Sequence, residues 1–209
     1  SYRDSDIETY NLAIRWLADQ GVWVLRMGKS VNNRVLIKHP RVIDYPFHPE
    51  RSDFLDVWLF ANCDLCISTG SGLDAISDVY RRPILFLNCL PLNNMVSWSN
   101  SINYPKHLKW SDSDNFLTLE EHLEHGYDNT KDYEEAGIDV IDLTSDEITL
   151  VVQECWSRLE DTFMETDDDT NQQNQFWKTM RESTLFKKQH DFIHPKARLA
   201  STFLRNNPN

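Results

Sequence analysis

The sequence predicts an α/β domain, a Rossmann-like doubly wound parallel sheet, and three observations lead there. Short apolar runs alternate with stretches of helical periodicity between residues 5 and 88. The apolar runs are unbroken by polar residues, as in strands covered on both faces. One of them, at residues 65–67, passes through a glycine turn straight into a helical stripe. Helix and strand in strict alternation imply crossover connections and hence parallel strands.

Taken in order, Ser5 and Glu8 form a capping box, and Ile7, Tyr10, Ala13, Ile14 and Leu17 then recur at helical spacing until Gly21, an αL stop. Residues 22–27 make a buried strand bounded by Gly28; residues 29–41 are polar and irregular; Val42 and Ile43 make a brief strand before Pro46 and Pro49. Ser52 caps a helix carrying Phe54, Leu55, Val57, Trp58 and Ala61 that stops near Asn62. Leu65, Cys66 and Ile67 form the next strand. Leu73, Ile76, Val79 and Tyr80 line a helix ended by Pro83, and residues 84–87 form another buried strand.

Residues 89–110 contain Pro91, Pro105 and several Asn without a sustained period, and are predicted to form a long loop. A short helix over 118–125 ends at Gly126. A second capping box, Thr144 with Glu147, opens a helix carrying Ile148, Val151, Val152, Cys155, Trp156 and Leu159. The acidic, amide-rich stretch 165–175 is predicted to be an exposed linker. It divides a domain at 1–164 from a helical extension at 176–209, where Phe176, Trp177, Met180, Leu185, Phe186, Leu199, Phe203 and Leu204 supply apolar surface for docking helices.

Composition narrows the functional classes. A formal charge of −12 repels a phosphate backbone, so nucleic acid is not an expected partner. No apolar run approaches the roughly 20 residues that cross a bilayer, and no transmembrane segment is expected. Cys63, Cys66, Cys89 and Cys155 are too few and too irregular for a disulfide scaffold, which favours a reducing compartment, the cytoplasm. Cys63 and Cys66 spell Cys-x-x-Cys without a second ligand pair at zinc spacing, so they are read as core residues. The Asp167, Asp168, Asp169 run is read as solvated, and neither metal nor cofactor is expected. The chain opens on Ser1 without a leader and is expected to begin mid-protein.

Function is concentrated in residues 64–75, where the apolar strand runs into Ser68, Thr69, Gly70, Ser71 and Gly72 and then a helix. Glycines admit close backbone approach, a helix start offers unpaired amides, and the hydroxyls add donors, which together suit a phosphate. The bland alternative is a tight strand-to-helix turn with Ser71 as an ordinary cap. Gly70, Gly72 and Ala75 also satisfy the dinucleotide fingerprint of nicotinamide- or S-adenosylmethionine-dependent enzymes. The next strand, however, ends in Asn88 rather than in the acid that would hold a ribose, and the turn is not on the first strand.

Asp53 and Asp56 share one side of their helix and suit a base or ribose, or else a solvated first turn. Arg26, at the carboxyl end of an apolar strand beside Gly28, suits a diphosphate or a buried ion pair. The catalytic residue is not assigned; Asp44 and His48 are candidates for a base.

The chain resembles an uncharacterised family of bacterial glycosyltransferases from surface-polysaccharide gene clusters. The likeness lies in YRDSDIETY at the start, WVLRMG at 23–28, VIDYP at 42–46, SDFLDVWLFANCDLCISTGSGL at 52–73, RPILFLN at 82–88 and HPKARLASTFLR at 194–205. It implies the carboxyl-terminal, donor-binding half of a GT-B architecture, with a first strand and an amino-terminal domain lying upstream. Its implied partners are a nucleotide-sugar donor, a glycan acceptor and that amino-terminal domain, without which the chain is expected to be inactive. Residues 55–72 are also distantly similar to the donor site of eukaryotic core fucosyltransferases. That likeness implies Asp56 at the base and Thr69 and Ser71 at the phosphates, although Gly70 and Gly72 depart from it.

Overall fold

The run Ile84, Leu85, Phe86, Leu87 is apolar at every position because it is covered on both faces. In the computed structural model, which describes residues 2–29, 31, 33–189 and 192–207, successive side chains of this strand enter different clusters. Leu85 and Leu87 join the main core, with Leu17, Val151, Phe176 and Leu204. Ile84 and Phe86 join a smaller one with Cys66 and Phe60. This is the period-2 alternation of a strand between two helical layers.

The elements follow as α1 (Asn11–Asp19), β1 (Val24–Arg26), β2 (Val42–Asp44), α2 (Asp53–Asn62), β3 (Cys66–Ser68), α3 (Asp74–Val79), β4 (Ile84–Cys89), β5 (Ser101–Pro105) and β6 (His107–Trp110). Then come α4 (Leu119–Glu124), α5 (Thr130–Glu135), β7 (Ile138–Ile141), α6 (Ser145–Leu159), α7 (Asp167–Glu182), α8 (Thr184–Gln189), β8 (Arg198–Leu199) and α9 (Ser201–Asn206). Strands β3-β4-β5-β8 form one parallel sheet, β1 and β2 form a separate parallel pair, and β6 and β7 pair antiparallel. Helices α1, α6, α7 and α9 cover one face of the sheet and α2 with α3 the other, so the molecule is α/β with a parallel sheet flanked by helices. Among the described residues no helix is long and apolar enough to cross a membrane.

Several expectations are corrected. Ser5 does not cap the first helix: Asp6 caps a 3-10 turn leading into α1, and the Ser5 hydroxyl instead meets Tyr10 and Asn88. Alternation fails between β1 and β2, between which no helix occurs among the described residues. The loop predicted over 89–110 contains β5 in the middle of the sheet. Its alternating Ser101 and Asn103 disguised it: both donate in the interior to the Val96 carbonyl, at 2.6 and 3.1 Å, while the buried Asn103 Oδ1 has no partner among the described residues.

The stretch 165–175 is no linker. Thr166 and Asp169 form a capping box, and α7 carries Phe176 and Met180 into the main core. Asp169, 2% exposed, receives both arms of Arg205 at 2.6 Å. The extension after residue 176 is not purely helical either, because β8 pairs beside β5. The capping box at Thr144 forms as predicted for α6, and the short helix predicted over 118–125 is α4, which a further capping box, Thr118 with Glu121, opens.

Candidate functional site

In a parallel sheet, ligands gather at the carboxyl ends of the strands. Arg26 ends β1, Asp44 ends β2, residues 68–72 leave β3 and Asn88 lies near the end of β4. The amino end of α2, with Asp53 and Asp56, follows β2 in the chain. Each sequence-predicted residue therefore ends a parallel strand or follows one, although β1 and β2 form a sheet apart from β3 and no hydrogen bond or ion pair links the turn at 68–72 to Arg26, Asp53 or Asp56 among the described residues.

The turn is organised around Ser68, which is 9% exposed. Its hydroxyl donates to Asp74 Oδ2 at 2.6 Å and accepts from the amides of Gly70 at 3.1 Å and Ser71 at 3.4 Å. That is the full capacity of one hydroxyl. Ser68 is thus an internal strut rather than a ligand donor, which corrects the expectation for it, and the Gly70 and Ser71 amides are already paired. Burial raises the Asp74 carboxyl above its ordinary range, against the opposing pull of the Ser68 hydroxyl and the Ala75 and Ser71 amides.

Ser71 is not the helix cap. Leu73 holds that position without a side-chain bond, and Ser71 contributes only its carbonyl, to the Asp74 amide. The side chains of Thr69 and Ser71 and the amides of Gly72 and Leu73 have no partner among the described residues. They remain available to a ligand at an exposed turn.

Gly70 adopts φ +81°, the left-handed conformation that glycine tolerates best. Gly72 does not, and a Cβ built on it would meet nothing within 4 Å. Gly28 has a backbone reason of its own: φ is +142°, and a Cβ would lie 2.7 Å from the Val31 side chain.

Arg26 forms the ion pair offered as its alternative reading. Its Nη1 lies 3.2 Å from Asp44 Oδ1, with the two side chains 12% and 16% exposed. Asp44 Oδ2 also accepts from the Val35 amide, so Asp44 serves as a counter-ion and is poorly placed to act as a base. The other guanidinium donors of Arg26 make no hydrogen bond among the described residues. His48 is exposed, its Nδ1 accepting from the Glu50 amide. Asp53 lies in solvent, 3.9 Å from Lys29.

Asp56 is instead 8% exposed and sits 3.4 Å from Arg51 Nη2. Arg51 was missed by sequence reasoning, and its buried Nε has no partner. The only signal was a cation placed directly before the Ser52 cap. Asn88 is committed to structure: its amide group donates to Ser5 and accepts from the Leu143 amide.

Two cavities lie away from this edge. One, of about 460 Å³, runs between α1 and α6 past Trp16 and Trp156. The other, of about 340 Å³, sits at the amino ends of β4 and β5. The second is lined by Arg158 and Arg198, which already pair with Glu154 and Glu165. Polar, partly unsatisfied groups at the carboxyl ends of the strands make these residues the better candidate.

Compared with known proteins, the chain matches no family model, no curated sequence and no solved structure.

Proposed function

We propose that the chain is the donor-binding, carboxyl-terminal half of a GT-B glycosyltransferase, moving a sugar from a nucleotide-sugar donor to a glycan acceptor. The observation that carries this reading is the exposed turn at 69–72, with uncommitted hydroxyls and amides, where the chain leaves the carboxyl end of parallel strand β3, together with Arg26 at the carboxyl end of β1 and Arg51 in the segment after β2. In this reading Thr69, Ser71 and the amides of Gly72 and Leu73 hold the diphosphate. The uncommitted donors of Arg26 neutralise the charge that develops on the leaving nucleoside diphosphate. Ser68 and Asp74 keep the shape of the turn, and Arg51 orients Asp56 toward base or ribose. The reacting hydroxyl's base comes from a second domain facing this edge. The cytoplasm is the compartment that its four free thiols favour.

Titration of the chain with GDP, UDP, ADP and CMP, followed by backbone amide NMR, tests the reading. One nucleotide diphosphate is expected to bind and shift the signals of residues 69–73. If none binds at millimolar concentration while the spectrum stays folded, the proposal fails.

A further inference from the structure

Charge is spread unevenly along the chain. Its net charge is −12, yet residues 20–43 contain Arg26, Lys29, Arg34, Lys38 and Arg41 and no Asp or Glu. Arg26 is taken by Asp44, and Lys29 lies 3.9 Å from Asp53. Arg34, Lys38 and Arg41 form no ion pair among the described residues, and all three are exposed.

The segment that carries them lies along the β1-β2 pair. The Val35 amide donates to Asp44 Oδ2 at 3.2 Å, at the carboxyl end of β2, and the Val42 amide donates to the His39 carbonyl at 3.1 Å, at its amino end. Between these two ties Arg34, Leu36 and Lys38 are exposed while Val35, Ile37 and His39 are half-buried. That is the alternation of an extended segment with one face turned to solvent. Leu36, between the two cations, is 74% exposed, and Trp23, beneath the Arg41 guanidinium at 5.9 Å, is 58% exposed. At the other end Arg34 lies 3.9 Å from the ring centroid of Phe47, which is also exposed.

We propose that this face docks on an anionic lipid surface. Arg34, Lys38 and Arg41 attract the headgroup phosphates, and Leu36 and Trp23 enter the boundary between headgroups and acyl chains, where indole rings settle. The apolar pair selects a lipid over a soluble polyanion, which would offer Leu36 nothing to enter. The acidic remainder of the chain does not prevent the contact, because charges more than about 8 Å away are largely screened at physiological ionic strength. The acids that touch the segment among the described residues are already engaged: Asp44 with Arg26, and Asp19 at 3.5 Å from His39. Docking of this face is independent of nucleotide binding at the strand ends.

Cosedimentation of the 209-residue chain with vesicles of phosphatidylcholine, alone or with a third of phosphatidylglycerol, tests it. Binding is expected to the anionic vesicles, not to the neutral ones, and to fall steeply with added salt. Arg34→Gln with Lys38→Gln should weaken it by about thirtyfold, and Leu36→Ser by about tenfold. Lys187→Gln with Lys188→Gln removes the same charge from exposed positions on α8 and should change it by less than about twofold. Absence of binding to anionic vesicles at low salt would overturn the proposal, as would equal binding to neutral ones or equal losses in the two double variants. Dextran sulfate covers the remaining case: binding to it through Arg34 and Lys38, as tight as to vesicles and indifferent to Leu36→Ser, assigns the face to a soluble acidic polysaccharide and refutes the lipid.

Discussion

Strands β4 and β1 are similar in sequence character and opposite in burial. Residues 84–88 of β4 are each 5% exposed or less, whereas every residue of β1 and of β2 is only half-buried. The difference lies in their neighbours. Strand β4 has a strand on each edge and a helical layer on each face, while β1 has β2 on one edge and, among the described residues, no strand on the other. An apolar run specifies that a strand wants burial, and the topology decides whether it receives it.

Truncating one residue in each pair gives the largest expected effect. Leu87→Ala, at a position 0% exposed, should cost about 3–4 kcal/mol, because a cavity opens where nothing can relax into it. Leu25→Ala should cost about 1 kcal/mol. Urea unfolding of both variants reads the contrast, and equal losses would mean that β1 is as tightly held as β4.

The two ends of the main sheet offer the next contrast. The edge at β5 is closed by β8, and the tail behind it is held by the Asp169–Arg205 fork. Asp169→Asn should cost about 2 kcal/mol, less than a fully buried pair because Arg205 is 46% exposed. Arg205 holds the Asp169 carboxyl well below the usual carboxylate range. A depressed folded pKa means that this stability is present above the ordinary Asp value and is lost as pH falls through the folded one. The gap between the two proteins should therefore narrow in acid, and thermal melts between neutral pH and pH 2 would detect it.

A third contrast is electrostatic. His122 in α4 is buried, its Nδ1 has no partner, and burial pushes its pKa down from 6.5 to about 4. The folded state then prefers neutral His122, so stability is full above pH 6.5 and falls as pH drops toward 4. About 1 kcal/mol should be lost by pH 6. His122→Leu should flatten that slope, and exchange in mild acid should rise first around α4 rather than at β1.

The strongly periodic elements were legible in the sequence. The short helix after Thr118, the box at Thr144 and the apolar run of β4 each carry their own signal, and they appear within a residue or two of their predicted bounds. What was missed depends on long-range partners. Strand β5 looks like a loop because Ser101 and Asn103 find a carbonyl that only the folded chain supplies. Helix α7 looks like a linker because its buried acid is matched by a cation 36 residues on. At the site, residue types located the glycine turn but not its internal bonding. Ser68 turned inward, Arg51 went unnoticed, and Arg26 carries an ion pair that leaves most of its donors uncommitted.

The smallest expected effect falls within the turn itself and separates fold from ligand. Gly70→Ala places a side chain at φ +81° and should cost about 1 kcal/mol through backbone strain alone. Gly72→Ala meets neither strain nor steric obstruction, so stability should stay within about 0.5 kcal/mol or rise slightly, because alanine narrows the unfolded ensemble. If a diphosphate lies against this backbone, the same methyl group stands in its way, and affinity for the preferred nucleotide should fall by at least about tenfold. Calorimetric titration beside urea unfolding distinguishes the cases. A Gly72→Ala protein of unchanged stability and weakened binding ties that glycine to ligand approach, whereas unchanged binding would leave the turn as a fold element and move the site toward Arg26 and Arg51.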